Sequence, residues 1–158
     1  MAQYGVPESL DGTLEWDWAR ERLHECRNFW VVTVSADGRP HALPVWGVWL
    51  DDPDRFWFSC ARTARKVRNL AANPRVVVAC ADTVEVVSIE GLARPATVDD
   101  STPAVESYLT KYFDDPSQLP AMQEFLESNA MFFVEPQRAF GIIEREEDFA
   151  NRATRWVW

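Results

Sequence analysis

Between Asn28 and Leu50 two apolar runs, "NFWVVTV" and "HALPVWGVWL", are joined through Ala36-Asp37-Gly38. Asp-Gly readily adopts the backbone angles of a tight hairpin turn, so the pair reads as two antiparallel strands. More strand-like runs follow: "RFWFSC", "RVVVACA", "VEVVSIEGLARPATV" and "AMFFVEPQRAFGIIERE", the last with Pro136 at a bulge or break. About six antiparallel strands in a chain of 158 residues, starting with a hairpin, predict a mainly-β, α+β fold. Its expected form is a small closed six-stranded barrel with helices packed outside.

The helices are also legible. In "TLEWDWARERLHECR", Leu14, Trp18 and Arg22, with Leu23 and Cys26 on the adjoining row, recur at helical spacing and predict a helix from about Leu14 to Arg27. "DDSTPAVESYLTKYF" begins with capping residues and aligns Val105, Tyr108, Leu109 and Tyr112 on one face, and "QLPAMQEFLESN" reads as another helix. No repeat, low-complexity segment or linker interrupts the chain, so one domain spanning residues 1–158 is expected.

Composition narrows the function. The 47% hydrophobic content and eight tryptophans exclude a disordered chain. No apolar run approaches the ~18–20 residues of a membrane-spanning helix. The opening "MAQYGVPESLDG" lacks a basic start and an apolar signal core, so a cytoplasmic protein without export is expected. Cys26, Cys60 and Cys80 form no C-x-x-C pair and read as small buried hydrophobes in a reducing compartment. His24 and His41 are too few and too scattered for a zinc site, and no metal is expected. The net charge of −9 argues against nucleic acid as a partner. "EREED" reads as a solvated charge run, and no G-x-S-x-G, P-loop or G-x-G-x-x-G is present.

Against this acidity one window stands apart. From Phe56 to Ala81 there is no Asp or Glu, while Arg62, Arg65, Lys66, Arg68 and Arg75 all fall inside, so the window carries +5 and the remainder −14. Thr63 is placed as the N-cap of a helix whose inward stripe is Val67, Leu70 and Ala71, with Arg62, Arg65, Lys66 and Asn69 opposite. A helix N-terminus flanked by a guanidinium and an ammonium binds a phosphate monoester well. The competing account is a solvated basic face. Two features favour an anion: the cations sit in the first turn, where the helix dipole opposes them, and no acidic partner laces the face.

The strand "HALPVWGVWL" is apolar on both alternating sets: Leu43, Val45 and Trp49 on one, Ala42, Pro44, Trp46 and Val48 on the other. A barrel strand facing water is polar at every second residue, so both faces are expected to be covered. The cover is either a helix of the same chain, or a partner subunit or flat ligand.

These residues carry a resemblance. "ARKVRNLAANP" resembles the S-R-K-x-R-E-L-x-x-N-P stretch of pyridoxamine 5′-phosphate oxidases, and "VEVVSIEG" resembles the strand after it. "VVTVSADGRPHALPVW" is similar to the opening hairpin of the wider flavin and deazaflavin oxidoreductase superfamily, whose fold is a split β-barrel. The likeness runs from about Asn28 to Thr97 and resumes at "ATRW". It implies that Arg65 and Lys66, beside Arg62 and Thr63, bind a cofactor phosphate. Ser59 and Cys60 would touch the ribityl chain and ring, Pro44, Val45 and Trp46 would edge the isoalloxazine, and Arg155 with Trp156 would reach the flavin. Pro44 fits this role because it donates no ladder hydrogen bond, although a simple strand kink accounts for it equally. The oxidases proper have a longer C-terminal arm with an "R-L-H" pattern for the substrate phosphate. Here "NRATRWVW" stands instead, so pyridoxamine phosphate is not the expected substrate.

The chain is therefore expected to be an oxidoreductase transferring hydride between the deazaflavin coenzyme F-420 and a small unsaturated organic substrate. Arg62, Arg68 and Arg75 would meet the polyglutamate tail of F-420. The alternatives are an FMN-dependent oxidase or reductase and a non-catalytic flavin- or haem-binding protein on the same fold. No residue is singled out as catalytic, since such a cofactor carries the chemistry. A homodimer is expected, because the doubly apolar strand and the tail "ATRWVW" exceed what one small barrel covers. The aromatic face of that tail docks either on its own barrel or at a cofactor cleft between subunits.

Overall fold

The computed structural model describes residue 9, residues 11–149 and residues 152–158. The opening segment, where no export signal is expected, lies largely outside the described residues. The order is α1 (Trp16–Glu25), β1 (Asn28–Val34), β2 (Pro40–Asp51), β3 (Asp54–Cys60), α2 (Arg65–Ala72), β4 (Arg75–Cys80), β5 (Glu85–Pro95), α3 (Val98–Tyr112), a 3-10 turn (Pro116–Gln118), α4 (Leu119–Ser128), β6 (Ala130–Ile143), α5 (Glu146–Phe149) and β7 (Thr154–Val157). The sheet runs β3-β2-β1-β4-β5-β6-β7, and a further pairing of β3 with β6 closes six strands into an antiparallel barrel. β7 lies outside that ring, on β6.

The predicted hairpin is present. Asn28 to Val34 pair with Trp46 to Pro40, and Gly38 takes the positive φ (+82°) that the turn requires. Alternation along the strands sends Phe29, Val31, Val76, Val78, Val87, Ile89 and Phe58 into one interior cluster. Pro136 flanks a bulge: Glu90 faces Arg138 but Gly91 faces Pro136, leaving Gln137 as the extra residue. The strands approach so closely there that a Cβ on Gly91 would sit 2.3 Å from the Glu135 carbonyl oxygen.

α1 is shorter than the Leu14–Arg27 span expected from its spacing. It closes one barrel end through aromatic packing. Trp16 meets Trp49, Trp156 and Trp158 edge-on at 5.8, 5.4 and 4.8 Å. The Trp158 indole donates to Asp54 Oδ2 (3.1 Å), and the Leu14 N–H donates to Thr154 Oγ1 (2.8 Å). Of the two dockings open to the tail, its aromatic face takes the chain's own barrel. A Cβ on Gly141 would lie 2.5 Å from the Trp156 ring, so that glycine makes room for the indole.

A second cluster lies outside the barrel, where Val48 and Trp57 meet Ala104, Tyr108, Tyr112 and Leu126 of α3 and α4. α3 starts with a capping box between Thr97 and Asp100. No helix among the described residues is long and apolar enough to cross a membrane.

Replacing Gly91 with Ala forces a methyl group against backbone rather than a flexible side chain, so the strands must part. The expected loss is about 1–3 kcal/mol, the usual range for overpacking, read from the urea midpoint. An unchanged midpoint would show that the bulge opens freely.

Candidate functional site

Strand β2 changes partners halfway. Pro40 to Trp46 pair only with β1, and Gly47 to Asp51 pair only with β3. The β2–β3 ladder stops at Gly47 opposite Phe58. Its continuation would set Trp46 opposite Ser59 and Val45 opposite Cys60, but these residues are unpaired with one another, and Ser59 and Cys60 pair with Met131 and Ala130 of β6 instead. The barrel is split at this point.

Two tyrosines of α3, one turn apart, serve the backbone on either side of the split. The Tyr108 hydroxyl reaches both strands beside their last direct pair, 2.6 Å from the Trp46 carbonyl of β2 and 3.4 Å from the Trp57 carbonyl of β3, and its single proton serves one of them. Burial pushes its pKa well above the ordinary phenol range. β1 begins only at Asn28, so the other edge of β2 loses its partner from Gly47 onward. There the Tyr112 hydroxyl accepts the Gly47 N–H (3.0 Å), and its single proton serves the Gly47 carbonyl (2.8 Å) or the Arg27 carbonyl (2.7 Å). Burial raises its pKa to about 12. The Lys111 ammonium adds bonds to the carbonyls of Gly47 (3.2 Å) and Leu23 (3.4 Å), and burial lowers its pKa to about 8. Tyr112 also stacks on Trp46, with ring centroids 4.9 Å apart and planes 12° apart.

Sequence spacing set Tyr108 and Tyr112 on one helix face but gave no reason to connect them with the split. That connection needs the register of β2 and β3.

The basic helix differs in detail from its expected form. Thr63 is not the N-cap. Ala64 holds that position, without a side-chain cap, and Thr63 is exposed. The faces also differ: Lys66 and Asn69 are buried with Leu70, while Ala71 faces solvent. Asn69 turns inward because its amide donates to the Thr33 hydroxyl (2.9 Å), a fully buried group on β1. Arg62 is already engaged, donating to the carbonyls of Ser128 (2.9 Å) and Glu127 (3.2 Å) at the end of α4, where a cation is favoured.

Lys66 is the informative residue. It is 6% exposed, and no hydrogen bond or ion pair to it is present among the described residues. The first turn of α2 carries no acid and no side-chain cap. The aliphatic stem of Lys66 is buried, while its ammonium is not among the buried unpartnered polar atoms and so reaches the surface, where an anion can meet it. Beside it are the exposed Arg65, the free N–H groups that open a helix, and Cys60, whose thiol is raised by burial and lowered by the charge of Lys66. Cys60, Val45 and Val67 each pack on the barrel's core cluster. The chemistry of this donor set fits a phosphate.

Other candidates lie apart. Within one chain Arg155 pairs with Phe140, ten positions along β6 from Ala130, the partner of Cys60, which is roughly 30 Å of strand. Trp156 is occupied by Trp16, whereas Arg155 is exposed. The first half of β2 is less covered than expected: α3 shields Val48 and Leu50, but Trp30, Leu43 and Trp46 are each 46% exposed and Ala42 and Pro44 face solvent. His41, expected at the hairpin surface, is half-buried with an unpartnered, buried Nδ1. Cavities of about 510 Å³ between β2 and α3 and about 220 Å³ beside Arg62 are lined by neither Arg65 nor Lys66.

The family model described as pyridoxamine 5′-phosphate oxidase matches residues 16–134. The chain belongs to the pyridoxamine 5′-phosphate oxidase family. No curated protein sequence matches it. Among solved structures of this fold, it is similar to the conserved hypothetical protein Rv2991 from Mycobacterium tuberculosis (18% identity, TM-score 0.75), covering 89% of this chain and 91% of that one. It is also similar to a protein titled F420 reductase (22% identity, TM-score 0.60; 85% and 98% covered). HutZ, the haem storage protein of Vibrio cholerae, has the fold as well (18% identity, TM-score 0.62; 79% and 91% covered). At such identities these likenesses establish the split-barrel fold of the family.

Changing Tyr108 to Phe removes the hydroxyl that donates to the Trp46 carbonyl and lies beside that of Trp57. The expected loss is about 1–3 kcal/mol, measured by chemical denaturation. A neutral result would mean that water takes the place of the hydroxyl.

Proposed function

We propose that this chain is a cytoplasmic, single-domain, homodimeric oxidoreductase that passes hydride between the deazaflavin coenzyme F-420 and a small unsaturated organic substrate. FMN is the alternative cofactor, for an oxidase or reductase of the same family. The observation that carries this reading is Lys66 at the uncapped start of α2, its stem buried and its ammonium without an ion-pair partner among the described residues. A phosphate monoester there receives the ammonium, the Arg65 guanidinium and backbone N–H groups together. The ring would then lie along Pro44, Val45 and Trp46, against Ser59 and Cys60, where the β2–β3 ladder is interrupted.

When bound, a flavin or deazaflavin supplies the hydride chemistry itself. This chain's residues bind the phosphate, orient the ring along an open strand edge and shield it from water. For the F-420 tail, the exposed Arg68 and Arg75 remain without ion pairs among the described residues, while Arg62, two of whose N–H groups are bonded to the end of α4, and the exposed Thr63 flank the site. The exposed strip of Trp30, Ala42, Pro44 and Trp46 is the surface for a second subunit, whose Arg155 and tail would complete the cleft.

A second reading is a haem-binding protein. Besides HutZ, a structural neighbour from Mycobacterium smegmatis is titled a heme binding protein, and His41, five positions along β2 from Trp46, has a ring nitrogen without a hydrogen-bond partner.

Apo protein titrated in parallel with FMN, F-420 and haemin separates these readings. Lys66→Ala is expected to weaken the flavin-type cofactor by about 1.5–3 kcal/mol, the range for a hydrogen bond to a charged group, and Arg65→Ala likewise. Parent-like affinity in both variants would place the phosphate elsewhere. Tight haemin binding lost in His41→Ala, with no FMN or F-420 binding, would select the second reading.

Light scattering on the purified chain is expected to give a dimer at micromolar concentration. A stable monomer would leave the β2 strip without its proposed cover.

A further inference from the structure

Cys26 and Cys80 converge although 54 positions separate them in sequence. Cys26 ends α1, with its N–H on the Arg22 carbonyl (2.9 Å), and Cys80 ends β4, with its Sγ 4.0 Å from that same carbonyl. A second carbonyl is shared too: Asn28 O accepts the Ala81 N–H (3.1 Å) and lies 2.9 Å from the Cys26 Sγ. Each thiol donates to a backbone carbonyl, Cys26 to Asn28 and Cys80 to Arg22, and each sulfur shifts the acidity of the other. Cys80 is buried, whereas Cys26 is partly open to solvent.

We propose that Cys26 and Cys80 are a peroxide-reactive thiol pair, with Cys26 the attacking sulfur and Cys80 the resolving one, that closes to a disulfide between α1 and β4. Neither sulfur belongs to the cofactor region around Lys66, so the proposal stands apart from the reading above.

The surroundings divide the roles. The neighbouring Cys80 and, to a lesser degree, the positive charge of Lys111 of α3 lower the Cys26 pKa to about 6. Burial and the Cys26 charge push Cys80 upward, and Asp82, just beyond β4, acts in the same direction. Thiolate character and access govern attack on a hydroperoxide, and Cys26 has both.

The chemistry balances with hydrogen peroxide as oxidant. The Cys26 thiolate attacks one peroxide oxygen, the O–O bond breaks, and with one proton taken up the products are a sulfenic acid and water. The Cys80 sulfur then displaces the sulfenic hydroxyl, which leaves as a second water with the Cys80 proton. Two thiols have lost two electrons, and the peroxide has been reduced to two waters.

The experiment uses the full chain, exposed to stoichiometric hydrogen peroxide, quenched, unfolded and alkylated, then digested for mass spectrometry. Expected are the loss of two of the three free thiols, a linked peptide containing Cys26 and Cys80, and recovery of both thiols with dithiothreitol. In Cys80→Ser the sulfenic acid should persist at Cys26 and react with dimedone, and Lys111→Met should slow the first step. Three thiols still alkylated after peroxide would overturn the proposal. So would a disulfide through Cys60, or a Cys26 sulfinic acid beside a free Cys80. The mapping on the parent chain decides the matter even if a variant fails to fold.

Discussion

Backbone groups inside a folded chain need partners, and a barrel that splits leaves a seam of them without any. In this protein the seam runs between Trp46 and Ser59, just past the last β2–β3 pair. The Tyr108 hydroxyl reaches into it and gives its proton to a strand carbonyl, that of Trp46 at 2.6 Å or of Trp57 at 3.4 Å. Tyr112 and Lys111 do the same on the opposite edge, where β1 has not yet begun. The open strand edge therefore depends on a helix outside the barrel, α3, which lies between β5 and β6 in sequence and packs on Val48 and Trp57.

The candidate phosphate site obeys a related rule for charge. A lysine at 6% exposure is held next to a helix start that has neither an acid nor a capping side chain. Among the described residues neither group has an anionic partner, and one anion would serve both. The other cations of the window differ. Arg62 caps the end of α4, and Arg65, Arg68 and Arg75 project into solvent. A charge count over the window would weigh these five alike, although only their surroundings separate a structural cation from a binding one.

Much of the fold was legible because strand alternation and turn chemistry are local. The Asp37-Gly38 turn, the bulge beside Pro136 and the six barrel strands all follow from short-range pattern. Helical faces were less secure. Eight residues of α2 span little more than two turns, so a hydrophobicity pattern assigns Ala71 inward and Asn69 outward. The structure reverses both, because Asn69 has a buried hydroxyl on β1 to bind. The Thr63 cap failed for a similar reason: the helix begins one residue later than its best capping side chain.

The sequence alone determined an antiparallel barrel with outer helices, a basic window in an acidic chain, and membership of a family through "ARKVRNLAANP". These depend on composition and on neighbours a few residues apart. Only the tertiary structure decided where the ladder breaks, that Tyr108 bridges the break, that Trp156 docks on Trp16, and that Cys26 meets Cys80. Each joins segments dozens of residues apart, and such contacts are set by strand register and barrel closure, which no local pattern encodes.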